Sequence, residues 1–152
     1  MENIGDCISA YTRYRSFSLE YRMEVHRMKN GSLHTGAKHT SDSKVIKLMK
    51  IIPAKTKGKK WTAYFSIGKD KEKAVSFGAS GYRDYTLMSD KTSKFYEKSK
   101  VERDKVKAAY IARHGKEDQT NPMKPATLSR YILWSSPSFG GSIRNFKKRF
   151  GV

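Results

Sequence analysis

Residues 44–77 read KVIKLMKIIPAKTKGKKWTAYFSIGKDKEKAVSF, and their period decides the fold class. Apolar residues recur at every second position, which is the spacing of a strand and not of a helix. Val45, Met49 and Ile51 alternate with Ile46, Leu48 and Ile52, so this first strand is expected to be partly buried on both faces. The run Lys55-Thr-Lys-Gly-Lys-Lys60 is a basic turn. Trp61, Ala63, Phe65 and Ile67 then share one strand face, with Thr62, Tyr64 and Ser66 on the other. A second charged turn covers 68–73, and residues 74–77 make a short third strand. The expectation is a three-stranded antiparallel meander whose lysine-rich ends discourage edge-to-edge pairing.

Downstream the period lengthens to that of helices. Gly78 and Gly81 bracket a loop that needs residues free of a Cβ penalty. A G-x-x-G loop can also bring backbone close to phosphates, but no helix start follows this one. Ser89 or Asp90 is positioned to cap a helix running to about Arg113, with Gly115 as its stop. Its face through Phe95, Val106, Ala109 and Tyr110 is apolar only at the ends, and lysines crowd the other faces. Pro125 suits the first turn of the next helix. Leu128, Tyr131, Ile132, Leu133 and Trp134 form its apolar face, and Pro137 stops it. Ser138 can cap a last helix, in which Phe139, Ile143, Phe146 and Phe150 fall on one face. Gly151 sits where a C-cap glycine belongs. The fold class expected is α+β: a small three-stranded meander, then three helices.

Residues 1–43 differ from the rest and are expected to form an arm, extended or partly helical, before a basic domain over 44–152. Tyr11, Tyr14, Phe17 and Tyr21 recur at helical spacing, Asn30-Gly31 is a turn, and the text to Ser43 has loop composition. Such a segment has too little apolar surface to fold alone. Glu2 and Asp6 stand where a secretory leader would be basic, so no leader is expected. The single cysteine, Cys7, excludes a disulfide within the chain and fits a reducing compartment.

The formal charge of the 152-residue chain is +18, from 32 basic and 14 acidic side chains. Residues 1–43 hold six basic and five acidic groups, so nearly all of the surplus lies beyond them. A surplus of this size draws polyanions. Nucleic acid, an anionic membrane surface and an acidic protein all satisfy it. The side chains expected to bind an anion or partner are Lys55, Lys57, Lys59 and Lys60 of the first turn and Arg83 of the glycine loop. Lys98 and Lys105 of the basic helix join them, with Arg144, Lys147, Lys148 and Arg149 of the last helix. Exposed Trp61, Tyr64, Tyr82 or Tyr85 could stack on bases.

No motif for catalysis is present. His26, His34, His39 and His114 form no H-E-x-x-H and have no cysteine cluster beside them, so no metal is expected. The strands carry no central carboxylates of the kind a metal-dependent nuclease uses. No G-x-S-x-G elbow and no P-loop occurs. The expectation is a non-enzyme with no cofactor, no catalytic residues and no small-molecule substrate.

Two segments together resemble a known family. They are V-S-F-G-A-S-G-Y-R-D-Y-T at 75–86, and N-P-M at 121–123 continuing through L-S-R-Y-I-L-W at 128–134 to S-I-R-N-F-K-K-R-F at 142–150. Over residues of about 60–150 the chain resembles a family of short lysine-rich proteins of unknown function in large double-stranded DNA viruses of algae and amoebae. The resemblance implies a viral protein carried in the virion and made in the host cytoplasm. The function expected on that basis is a minor capsid protein cementing capsid units beneath the outer shell, with major and other minor capsid proteins as partners. The alternative is a basic protein that binds double-stranded DNA during genome packaging or condensation.

Overall fold

The computed structural model describes residues 7–8 and 23–152. The expected helical face through Tyr11, Tyr14, Phe17 and Tyr21 lies outside the described residues. Five strands follow one another in antiparallel order: β2 (Val25–Met28), β3 (Leu33–Thr35), β4 (Val45–Pro53), β5 (Lys59–Ile67) and β6 (Lys71–Ala79). A two-residue edge strand, β1 (Cys7–Ile8), pairs with β2. The helices are α1 (Tyr85–Ser89), α2 (Lys100–His114), α3 (Pro125–Leu128, continued by a π-helical turn at Ser129–Leu133) and α4 (Phe139–Phe150).

The class is α+β, but the expectation of three strands and three helices is overturned. The strands missed, β2 and β3, lie inside the segment read as an arm. They are four and three residues long, too short for an alternation to show. Leu33 pairs with Ile46 and enters the core, and Val25 packs against it. The helix expected from Ser89 or Asp90 begins only at Lys100, and the short α1 lies before it in a stretch expected to be loop. Asp84 caps α1 by accepting from Leu87 N, and Ser99 caps α2 by accepting from Glu102 N. Ser99, inside the span expected to be helix, is the stronger start because its hydroxyl satisfies an N–H that the first turn leaves open.

β4 explains its own mixed pattern. Ile46 and Leu48 pair with Ile67 and Phe65, then the register shifts between Leu48 and Lys50. Beyond the shift Ile51 pairs with Ala63. Met49 is the extra residue of a bulge and stands 58% exposed. The bulge moves the inward phase from even to odd positions, so that one strand keeps its apolar residues on one side.

The core lies between one face of the sheet and the helices. Ile46, Leu48, Phe65, Val75 and Phe77 meet Leu128, Ile132 and Leu133 of α3, and Phe146 and Phe150 of α4. Gly78 permits this approach: its φ is +75°, and a Cβ there would sit 2.8 Å from Leu133 Cδ1. The last helix matches its reading in detail, with Ser138 as cap and Gly151 left-handed at φ +68°. α2 buries no residue completely. It is held by specific contacts: Tyr85 Oη donates to Asp104 Oδ1 at 2.7 Å, and Lys107 Nζ donates to Ser135 O at 2.8 Å. Among the described residues, no helix is long and apolar enough to cross a membrane.

Candidate anion-binding cleft

A cleft of about 1030 Å³ opens between the β5–β6 end of the sheet, α2 and α3. Its floor is apolar, made by Val106, Ala109, Tyr110, Leu133 and Trp134. Tyr110 and Trp134 join α2 to α3 by stacking, with ring centroids 4.2 Å apart and planes 7° from parallel. Burial, aided by Glu117, pushes the Tyr110 phenol up to about 12, so this floor stays uncharged at neutral pH.

The walls are charged. Lys59, Lys60, Arg83, Lys105, Arg113 and Lys124 supply six cations, against the carboxylates of Asp84, Glu117 and Asp118. Each carboxylate is already engaged. Asp84 accepts from Lys60 Nζ at 2.8 Å, with side chains 2% and 13% exposed. Asp118 accepts from Lys124 Nζ at 2.7 Å, and Glu117 from His114 Nδ1 at 2.6 Å. Burial pushes the Asp118 carboxyl up, but hydrogen bonds from Lys124 and Thr120 outweigh it and hold the group below its usual range. Lys105 pairs with Glu102 along its own helix, an exposed contact worth little. The exposed cations Lys59, Arg83 and Arg113 have no carboxylate partner among the described residues. They rim the cleft, so a surplus positive potential faces its mouth.

Of the expected binding residues, Lys59, Lys60, Arg83 and Lys105 are brought together here. Lys60 is a structural ion-pair partner rather than a free donor. Lys55 and Lys57 are exposed in the β4–β5 turn, outside the cleft lining. Lys98 is exposed in the loop before α2 and is also outside it. Arg144, Lys147, Lys148 and Arg149 are exposed on α4 and do not reach it. The Arg149 guanidinium lies 4.4 Å from the centre of the Tyr131 ring and donates to its hydroxyl at 3.2 Å. Arg113 and Lys124 were not singled out from sequence. Arg113 occupies the last turn of α2, where a cation is also favoured by the helix dipole. Only the packing of α2 against α3 shows that it faces a cleft.

A family model described as "Family of unknown function (DUF5754)" matches residues 49–98. That span runs from the β4 bulge through β5, β6 and α1 to the loop before α2, and so includes one wall of the cleft. No curated protein and no solved structure matches the chain.

Proposed function

We propose that the chain is a non-enzymatic virion structural protein, a minor capsid protein that cements capsid units beneath the outer shell of a large icosahedral DNA virus. In this reading the cleft receives an acidic segment of a neighbouring shell protein. The observation that carries it is the pairing of an apolar floor with a rim of uncompensated cations. A phosphate-tracking groove needs uncompensated charge along its length, whereas three of this cleft's cations, Lys60, Lys105 and Lys124, are already paired and part of its lining is apolar. A polypeptide segment with both apolar and acidic side chains satisfies both parts, and complementary charge sets its register.

The second reading, a genome-associated DNA-binding protein, draws on a different face. Arg144, Lys147 and Lys148 are exposed along α4, and Tyr82 is 71% exposed beside Arg83. A DNA affinity that falls steeply with salt, with a slope equal to several phosphates, is the signature of that role.

The two separate on one experiment. Shell fragments from particles of the encoding virus are treated with nuclease and tested for retention of the protein. Wild type stays bound, and Arg83→Glu with Arg113→Glu lowers the affinity by about 10- to 100-fold, since reversing two rim charges removes attraction and adds repulsion. Release of the wild-type protein by nuclease alone overturns the capsid reading and favours the genome reading.

A further inference from the structure

Away from the cleft, three histidines converge. His26 of β2 and His34 of β3 are directly opposed in the antiparallel register. Opposed residues project from the same face of a sheet. Leu33 points into the core, so its neighbour His34 lies on the face turned away from the helices. His26 is nonetheless fully buried. His39 comes from the loop after β3, which folds back through Gly36 N to Glu24 O (2.8 Å) and Thr35 N to Lys44 O (2.9 Å). The three rings sit 5.5–5.8 Å apart, centroid to centroid. One ring nitrogen from each lies within 4.8 Å of the others.

The surrounding hydrogen bonds fix two of the tautomers. His26 Nδ1 donates to Gly36 O at 2.8 Å, since a carbonyl can only accept. Its Nε2 is then a lone pair, buried and without a hydrogen-bond partner. For His34 the logic takes three steps. Asn30 Oδ1 receives the Ser32 backbone N–H at 3.0 Å, which identifies it as the acceptor. Ser32 Oγ therefore donates its one hydrogen to Oδ1, at 2.7 Å. It must then accept from His34 Nε2, at 3.1 Å. That leaves His34 Nδ1 as a second buried lone pair without a hydrogen-bond partner.

Both lone pairs belong to a cluster whose candidate ligand nitrogens lie within 4.8 Å of one another, and a metal ion held there satisfies both. Each is backed by an outer hydrogen bond that orients the ring, the arrangement that metal-binding histidines use. We propose that His26, His34 and His39 bind a zinc ion, with His26 Nε2 and His34 Nδ1 as ligands and His39 completing a three-imidazole set. Zinc–nitrogen bonds of about 2.0–2.1 Å in a tetrahedron place ligand nitrogens about 3.3 Å apart. From a limit of 4.8 Å the rings close by at most about 1.5 Å, within reach of side-chain rotation. The ion would staple the β2–β3 hairpin to the 36–44 loop, and three protein ligands leave its fourth position for water or a partner's side chain.

The full-length protein, stripped with a chelator and dialysed, is titrated with Zn²⁺ by calorimetry and with Co²⁺ by visible absorption. One equivalent of each should bind, the Co²⁺ form should show tetrahedral d–d bands, and Zn²⁺ but not Mg²⁺ should raise Tm. His39→Gln, in the loop, and His34→Gln should each weaken Zn²⁺ binding at least about 10- to 100-fold, the range for loss of even an outer partner of a ligand. Circular dichroism of the apo variants checks that they fold. Absence of Zn²⁺ binding by the wild-type protein overturns the proposal. So does binding that is unchanged in both folded variants, which would place the ion elsewhere.

Discussion

Asp84→Ala is expected to lower the unfolding free energy by about 3–5 kcal/mol, the usual cost of leaving a buried charge without its partner. Asp84 is 1% exposed and does three things at once. It accepts from Lys60 Nζ at 2.8 Å, from Thr86 Oγ1 at 2.6 Å and from Leu87 N at 2.9 Å. Removing it strands the Lys60 ammonium, which keeps only the Tyr82 carbonyl at 2.5 Å. It also uncaps α1, a loss of about 1 kcal/mol by itself. For a chain of this length each kcal/mol is about 2–4 °C of Tm, so the expected fall is roughly 6–20 °C. Adding Lys60→Met to Asp84→Ala should restore part of the loss, because the unpaired charge is then gone. Thermal unfolding of the two single variants and the double closes the cycle. Strict additivity would show that the ion pair contributes nothing.

Gly151→Ala is the second large effect. The residue is left-handed, which costs a residue with a Cβ about 1–2 kcal/mol. The added Cβ would also run into the carbonyl oxygen of Gly31, a backbone atom that cannot swing aside. The site is a junction: Gly151 O accepts from Leu33 N at 3.2 Å, and Arg27 donates to the carbonyls of Lys148 and Arg149. These contacts join the end of α4 to the β2–β3 turn. A total loss of about 3 kcal/mol or more is expected, the overpacking term adding to the conformational one. Gly81→Ala is the control. Its φ is +83°, but nothing lies within 4 Å of the new Cβ, so only the conformational part remains. Equal Tm losses for Gly151→Ala and Gly81→Ala would show that the junction is soft.

The difference between these two glycines also shows what a sequence can reveal. A left-handed position is announced by the residue type and the end of an amphipathic helix, and Gly151 was readable in that way. The collision with Gly31 was not, because it depends on a hairpin formed 120 residues earlier. β5 and α4 are long enough for their period to dominate, whereas β6 is legible only over 74–77, because Lys71-Glu72-Lys73 reads as a charged turn and not as strand. β2 and β3 are not long enough, and their stability comes from pairing with β4 and from the α4 junction. The start of α2 is expected about ten residues too early because polar residues at 90–99 satisfy a helical and a turn reading equally. The turns prevail through local side-chain bonds, such as Asp90 Oδ1 accepting from Thr92 N at 2.9 Å.

The sites follow the same pattern. Lysine-rich turns mark a cationic surface, but composition does not say which lysines are already paired. Lys60 was indistinguishable from Lys59 in the sequence, yet only Lys59 remains an exposed cation at the cleft. Arg113 enters the cleft through the packing of α2 on α3. His26, His34 and His39 have spacings that match no local metal motif. Strand register brings the first two together and a folded-back loop adds the third.

The central claim, that the cleft receives an acidic segment of a capsid neighbour, is tested most directly by cross-linking inside intact particles. A photo-reactive residue replaces Tyr82 at the rim, the particles are irradiated, and the adducts are sequenced. The account predicts cross-links to an acidic stretch of a shell protein, reduced by Arg113→Glu. Cross-links to DNA alone, or absence of the protein from purified particles, would contradict it.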